Sequence, residues 1–156
     1  MKIRIIALGK IKEKFLKEGI GEFMKRLVPY TSVEIVELSP IEIKDENLTE
    51  KILMEEGIKI LSLIKDNSYV ITLEIIGKQL SSEEFAHTIR NISTSGISDL
   101  VFVIGSSYGL AQNVSNRANL KISLSKMTFL HQFTRLILVE QIYRAFKILS
   151  NEKYHK

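Results

Sequence analysis

The sequence contains no cysteine among its 156 residues. This absence excludes a disulfide framework, a thiolate metal site and a cysteine nucleophile. It also excludes chemistry that needs a transient thiol adduct, such as cysteine-assisted methylation of a pyrimidine carbon. The three histidines are scattered along the chain without the spacing of metal ligands, so we expect no metal site.

Long apolar runs are absent as well. No stretch approaches the ~20 residues that a membrane-spanning helix needs, and the opening MKIRIIALGK is too short and too soon charged for a signal peptide. We therefore expect a cytoplasmic protein with no membrane partner. The sequence also lacks the GxGxxG fingerprint of dinucleotide-binding domains and the GxxxxGKS or GxxxxGKT phosphate-binding loop, so neither nucleotide site is supported.

The residues that are present fit one globular domain covering residues 1–156. Hydrophobic residues make up 45% of the chain and charged residues 26%, and a chain of this length can bury a core without staples. The net charge of +4 fits a polyanionic partner, but it is a weak signal because many proteins of this charge balance bind none.

Apolar strand patterns and helical spacings alternate along the chain. The strand patterns occur at residues 2–8, 33–38, 69–76, 100–104 and 120–124. Asn47 and Glu50 form a predicted capping pair for the second helix, and Ser81 and Glu84 form a predicted capping box for the third. This alternation predicts an α/β fold with a mostly parallel sheet flanked by helices.

Three segments beyond the carboxyl ends of predicted strands are candidates for a ligand site, namely 73–77, 105–109 and 124–129. Ligands of parallel sheets usually bind at that edge. Gly105 and Gly109 would allow a ligand to approach the backbone closely, although a GxxxG turn is more often ordinary turn chemistry. A nucleoside would suit these segments, with its base on main-chain groups and its apolar flank against Leu73, Leu124 and Met127.

The segment 131–149 predicts a long final helix. At 100° per residue, His131 and Arg135 share a line with apolar residues further along the helix. We therefore expect a helix that opens into a polar pocket at its N-terminal end and is buried along its body. A His–Arg pair at i,i+4 is more often an ordinary helix-end pair than a catalytic one. Arg135 is the stronger candidate because its arc is otherwise apolar.

The apolar arc of this helix is broad, since it also includes Leu136, Val139, Tyr143 and Phe146. A width near 180° exceeds what one core face needs, so it predicts a second partner surface, for which a dimer interface is the natural candidate.

Two other features of the sequence each allow two interpretations. The basic residues Lys10, Lys12, Lys14 and Lys17 could contact a polyanion or form the solvated face of a helix. The sequence Tyr154-His155-Lys156 is typical of a frayed terminus, but its aromatic and cationic groups could also stack on a base and clamp it.

The segments VFVIGSSYGL and SLSKMTFLHQFTRLILVEQIYRAFKI, with the later YHK, resemble the RlmH family of ribosomal RNA large-subunit methyltransferases in the SPOUT superfamily. The resemblance extends to the opening IIALGKIKEKF and to VITLEIIGKQLSSEEFA. It implies an S-adenosylmethionine-dependent enzyme that methylates N3 of a pseudouridine in 23S rRNA of the assembled ribosome. It also implies a homodimer and a C-terminal trefoil knot.

The same resemblance implies which residues form the site. The positions that match the family's cofactor contacts are Leu73, Gly105, Leu124, Ser125, Lys126, Met127, Thr128 and Phe129. The positions that match its substrate side are His131, Arg135, Tyr154 and His155. This chain departs from the family's usual residues at Ser106 (Gly), Leu130 (Pro) and Ser150-Asn151 (Arg-Gly).

These residues suggest roles in methyl transfer to an imide nitrogen. We expect Arg135 to stabilise the negative charge that develops on the base, and Tyr154 and His155 to clamp the base and accept its proton; His131 is a second possible acceptor. Two alternatives remain: a non-catalytic RNA- or ribosome-binding protein of the same fold, and a SPOUT methyltransferase with a tRNA or different rRNA target.

Overall fold

A computed structural model describes residues 1–154, which form a sheet with helices on both faces. The elements in chain order are β1 Lys2–Leu8, α1 Lys14–Leu27, β2 Ser32–Leu38, α2 Thr49–Ser62, β3 Tyr69–Gln79, α3 Ser82–Thr94, β4 Asp99–Ile104, α4 Gln112–Arg117, β5 Leu120–Ser123 and α5 His131–Leu149. No helix of residues 1–154 is long and apolar enough to cross a membrane.

All strand pairs are parallel, in the order β2-β1-β4-β3-β5. The central strand β4 is buried at every position because helices cover both of its faces. Alternate residues of the sheet divide the core: Ile5 and Phe102 pack on the side of α1, α3 and α5, while Ile6 and Val103 pack on the side of α2 and α4. The predicted parallel α/β architecture is confirmed.

The direction of the strands defines two edges of the sheet. All strands end at one edge, which we call the carboxyl edge, and begin at the other, the amino edge. The last helix, α5, begins after β5 at the carboxyl edge and runs back across the sheet between α1 and α3. Its C-terminal end reaches the amino edge, where Lys147 Nζ lies 3.4 Å from the hydroxyl of Tyr30, just before β2.

The local predictions have mixed outcomes. The capping box before α3 is confirmed, since Glu84 N–H donates to Ser81 Oγ (3.1 Å) and Ser81 N–H donates to Glu84 Oε2 (2.7 Å). The capping pair before α2 is wrong. Asn47 lies inside a short 3-10 turn, where the Asp45 carboxylate accepts its N–H (3.0 Å), and α2 begins at Thr49 without a side-chain cap.

The end of α5 explains one departure from the family pattern. Asn151 adopts a left-handed conformation with φ of 54°, and its N–H donates to Ile148 O while Glu152 N–H donates to Lys147 O. This is the Schellman arrangement, which favours glycine at the left-handed position and accepts asparagine next. The Ser150-Asn151 pair therefore preserves the helix end that an Arg-Gly pair would form.

Candidate functional site

The three predicted ligand segments leave the sheet side by side. Leu73 of β3 pairs with Ile104 of β4 on one side and with Ile122 of β5 on the other. These three paired residues form one rung across β4, β3 and β5. Gly105 lies one residue beyond this rung after β4, and Leu124 lies two residues beyond it after β5. Long-range sheet register thus brings together segments that are far apart in the sequence.

The first segment is a bulge inside β3 rather than a loop after it. Both Leu73 and Lys78 pair with Ile122, so the residues between them loop out of the ladder. β3 therefore continues to Gln79, past the predicted end at residue 76. Ile75 and Ile76 are 70% and 85% exposed, so the bulge presents apolar side chains at the carboxyl edge.

A polar network anchors the start of this bulge. The Glu74 carboxylate accepts hydrogen bonds from Thr72 Oγ1 (2.6 Å) and from Ser115 Oγ on α4 (3.0 Å). Lys121 Nζ of β5 donates to the same Ser115 hydroxyl (2.6 Å). The backbone next to Leu73 is therefore connected to α4 through Ser115 and, through the same hydroxyl, to Lys121 of β5. Sequence reasoning missed Glu74 and the short helix α4, because partners from three separate elements create the network.

The second segment is a tight turn. A Cβ atom at Gly105 would collide with the carbonyl oxygen of Gly109, and Gly109 itself has a φ of +90°. Gly109 N–H donates to Ser106 O (3.0 Å), which closes the turn. The turn's own backbone thus requires both glycines, so close approach of a ligand is not needed to explain them.

The third segment offers free donors to a ligand. Within residues 1–154, the backbone N–H groups of Lys126, Thr128 and Phe129 donate to no acceptor, whereas Met127 N–H donates to Ser125 Oγ (3.0 Å). The Met127 side chain is 76% exposed. This segment therefore has the main-chain and apolar character that was predicted for a nucleoside site.

A small cavity of about 210 Å³ adjoins the third segment between α3 and α5. Leu124 and Phe129 line it, whereas Leu73 and Gly105 do not. Its polar wall was not predicted: Ser82 Oγ donates to Gln141 Oε1 (2.7 Å). The structure thus brings the predicted cofactor residues to one edge of the sheet without enclosing them in one cavity.

Arg135 is completely buried at the carboxyl edge. Its Nη1 donates to Glu37 Oε1 (2.6 Å) and its Nη2 donates to Gly9 O (3.0 Å), while its Nε has no acceptor in the described part of the chain. Burial lowers the pKa of Arg135, and the Glu37 carboxylate opposes that shift. Glu37 was missed because the alternation of β2 indicates only a strand with one wet face.

His131 lies one helical turn before Arg135 on α5 and is half-buried. A Cβ atom at Gly9 would come within 3.3 Å of His131 Nε2, so the imidazole packs against the end of β1. Burial, followed by the positive charge of Arg135, lowers the pKa of His131 and favours the neutral imidazole at neutral pH. Since β1 pairs with β4, His131 lies on the same edge as Gly105.

Tyr154 is held far from these residues. Its ring packs edge-on against Tyr143, with centroids 4.9 Å apart, and Arg144 lies over the ring at 4.8 Å. Its hydroxyl donates to Glu140 Oε1 (3.1 Å). The structure therefore does not bring Tyr154 together with His131 and Arg135 in one chain. His155 lies outside the described residues.

The broad apolar arc of α5 is covered within the chain. Tyr143 packs on Phe23 of α1, and Phe146 stacks with Tyr30, which follows α1. Leu136 contacts α1 at Gly19. The broad arc therefore does not indicate a dimer interface, because α1 and the residue that follows it supply the second partner surface. The dimer itself stays a prediction.

Comparison with known proteins identifies the family. A family model described as "Predicted SPOUT methyltransferase" matches residues 1–155. Ribosomal RNA large subunit methyltransferase H of Carboxydothermus hydrogenoformans is 51% identical over 160 aligned positions that cover both chains completely. The solved structure of a probable methylase family protein from Haemophilus influenzae Rd KW20 superposes with a TM-score of 0.57, over 99% of this chain and 70% of its own, at 13% identity, which indicates likeness of fold. The chain belongs to the SPOUT methyltransferase family.

Proposed function

We propose that this protein is an S-adenosylmethionine-dependent methyltransferase of ribosomal RNA that acts on N3 of a pseudouridine in 23S rRNA of the assembled ribosome, in the cytoplasm. The observation that carries the proposal is the 51% identity, over the full length of both chains, to a protein named ribosomal RNA large subunit methyltransferase H. The shared edge of the three ligand segments and His131 supports it independently.

The residues of the carboxyl edge suit S-adenosylmethionine. The free N–H groups of residues 126, 128 and 129 can bind polar ring atoms, and Leu73, Leu124 and Met127 can cover an apolar flank. When bound, this cofactor supplies a methyl group that is already electrophilic, so the protein mainly has to align it with the acceptor nitrogen.

The described part of the chain also suggests how the base is treated. An imide N3–H must lose its proton before or during attack, and negative charge then spreads over the base. Because Arg135 is completely buried and both of its Nη atoms donate to protein acceptors, we assign Arg135 a positioning role. Burial of the imidazole and, second to it, the charge of Arg135 lower the pKa of His131 and favour its neutral form. His131 is then free to hydrogen-bond to the base at the carboxyl edge.

In its docked position Tyr154 does not reach His131 of its own chain. Its ring and hydroxyl contact Tyr143, Arg144 and Glu140. Glu140, the nearest of these to His131, lies nine residues further along α5, which is about 14 Å of axial rise. While these contacts hold, Tyr154 can act as a base clamp only if a second copy of the chain supplies it, and we propose that the second copy supplies His155 as the proton acceptor as well.

The docked position of Tyr154, and not the width of the apolar arc of α5, is the reason to propose a homodimer. Apolar side chains exposed at the carboxyl edge offer a surface for the second copy, namely Ile75, Ile76, Tyr108, Met127, Phe129, Leu130 and Phe133. The C-terminal trefoil knot remains an expectation from the family.

The proposed function is tested by measuring cofactor binding and methyl transfer separately. We expect saturable heat on titration with S-adenosylmethionine, and transfer of a labelled methyl group to assembled ribosomes that nucleoside mapping locates at N3 of a pseudouridine in 23S rRNA. Absence of saturable S-adenosylmethionine binding would favour the non-catalytic alternative. A methyl group on tRNA or on another rRNA nucleotide would favour the other alternative, and both outcomes would overturn the proposal.

A further inference from the structure

A second groove lies beside the Arg135 site, between α1 and the edge strand β2. It has a volume of about 540 Å³, and Lys10, Lys17, Glu37 and Arg135 line it over an apolar floor that includes Ile20. Three of these side chains are cationic and one is anionic. The single carboxylate is already paired, because Glu37 accepts a hydrogen bond from Arg135 (2.6 Å).

The lysines of this groove have unused charge. Within residues 1–154, the ammonium groups of Lys10 and Lys17 have no carboxylate partner, and both side chains are exposed. In contrast, Lys14 on the same segment forms an i,i+4 pair with Glu18 at 3.7 Å. Within the described residues, the groove therefore presents two unpaired lysine ammonium groups above the ion pair of Arg135 and Glu37, whose charges offset each other.

Two hydrogen bonds fix the backbone that follows Lys10, close to His131, the residue proposed to contact the base. Ile11 N–H donates to Glu37 Oε1 (3.1 Å) and Lys12 N–H donates to Gln132 Oε1 of α5 (3.0 Å). Lys10 also directly follows Gly9, against which His131 packs. A phosphate in this groove would thus lie beside the nucleotide whose base reaches His131.

The start of α1 carries more lysines than carboxylates. Glu13 occupies the N-cap position, but its side chain makes no capping hydrogen bond and the first turn itself contains no acidic residue. Lysines at residues 10, 12, 14 and 17 surround this end, although the helix dipole disfavours positive charge there. A bound phosphate would stabilise the lysines and the helix end together.

We propose that Lys10 and Lys17 bind backbone phosphates of the substrate RNA next to the nucleotide that is methylated. This inference rests on the proposed function for the identity of that RNA. Phosphate contacts of this kind position the nucleic acid without reading its sequence. Lys10 and Lys17 therefore set affinity and salt dependence, while the carboxyl edge handles the cofactor and the base.

The test compares the double variant Lys10→Gln/Lys17→Gln with the control Lys59→Gln, which removes an exposed charge from α2 on the opposite face of the sheet. Binding to large ribosomal subunits and to protein-free large-subunit RNA is measured as a function of salt. We expect the slope of log affinity against log salt to fall by roughly 1.5, and the affinity to fall by roughly tenfold at moderate salt. The control should keep the parent's values.

The binding readout separates this inference from the proposed function. An unchanged slope in the double variant overturns the inference, even if the parent methylates rRNA. A loss of affinity for subunits but not for protein-free RNA also overturns it, because the partner would then be a ribosomal protein. A reduced slope with unchanged S-adenosylmethionine affinity supports it, whichever nucleotide the parent methylates.

Discussion

Arg135 is the one charged residue of the described chain with a relative exposure of 0%. Its guanidinium connects the ends of β1 and β2 to α5 through Gly9 and Glu37. Removing it would leave the Glu37 carboxylate without its cation and a buried carbonyl without a donor, which is costly. A loss of methyl transfer on substitution of Arg135 therefore reports on folding as well as on chemistry.

His131 gives a cleaner measurement at the scale of one residue. Its pKa in the folded chain lies below that of the unfolded chain because burial and Arg135 disfavour the imidazolium. The unfolded chain binds the proton more readily, so the contribution of His131 to stability is fully present above its ordinary pKa of about 6.5 and is lost as pH falls below it. We predict that His131→Gln loses less free energy of unfolding than the parent between pH 7.5 and pH 5.5.

The comparison requires urea denaturation of three proteins at both pH values. His87→Gln is the matched control, since His87 is exposed on α3. The parent and the His87 variant should lose stability equally on acidification. An equal loss in His131→Gln would contradict the coupling between His131, its burial and Arg135.

At the scale of the element, substitutions at two glycines distinguish the effect of a steric clash with the backbone from the effect of backbone conformational entropy. A Cβ atom at Gly77 would come within 2.5 Å of the Ile122 backbone, because the bulge of β3 presses on β5 there. A Cβ atom at Gly21, inside α1, would meet nothing within 4 Å. We predict that Gly77→Ala lowers the free energy of unfolding by about 1–3 kcal/mol, and that Gly21→Ala raises it by about 0.5–1 kcal/mol.

Chemical denaturation at neutral pH measures both changes. Gly77→Ala should also weaken S-adenosylmethionine binding, because the bulge borders the proposed cofactor site, whereas Gly21→Ala should leave it unchanged. Equal stabilities of the two variants would show that the bulge does not depend on close backbone contact at Gly77.

Local chemistry made most elements predictable. The β-branched runs indicated the strands at residues 2–8 and 100–104 almost to the residue, and the Ser81–Glu84 box marked the start of α3, because such signals act within one turn or strand. The extension of β3 past residue 76 was not predictable, since pairing with Ile122 in two registers creates it.

The site was only partly predictable for the same reason. The polar start of α5 predicted a polar pocket at Arg135, and in the structure Arg135 is buried there in an ion pair with Glu37. Its partner Glu37, however, lies 98 residues away on the edge strand. Which copy of the chain supplies Tyr154 to the site was not predictable, because nothing in a short tail sequence indicates where it docks on α5; in the structure it packs on Tyr143 and Glu140 of its own chain.

At the scale of the whole molecule, the docked position of Tyr154 determines how a complete site can form. Because Tyr154 packs on Glu140 and Tyr143 of its own chain rather than against His131, the proposed dimer pairs the His131 of one copy with the Tyr154 of the other. A hybrid dimer of His131→Ala and Tyr154→Ala subunits then contains one site with both residues intact and one site with neither. We predict that such hybrids, isolated through two different affinity tags, recover about half of the parent's methyl transfer per dimer, whereas each variant alone is inactive.

Methyl transfer to assembled ribosomes provides the readout, and a dimer of two parental subunits that carry the two different tags is the control for tagging and exchange. If the hybrids stay as inactive as the single variants, the tail acts on its own chain and must leave the position in which Tyr154 packs on Glu140 and Tyr143. If no hybrid forms at any concentration, the homodimer is contradicted directly.

The common rung through Ile104, Leu73 and Ile122 has one more consequence. The outermost of these strands, β5, has four residues and is hydrogen-bonded to β3 alone. A slip of β5 by one position would turn its side chains to the opposite face and carry the following segment out of line. Ligand binding at the third segment therefore depends on the register of β5, the shortest strand. A change that disturbs the pairing of β5 with β3 would weaken both the sheet and the binding of the ligand.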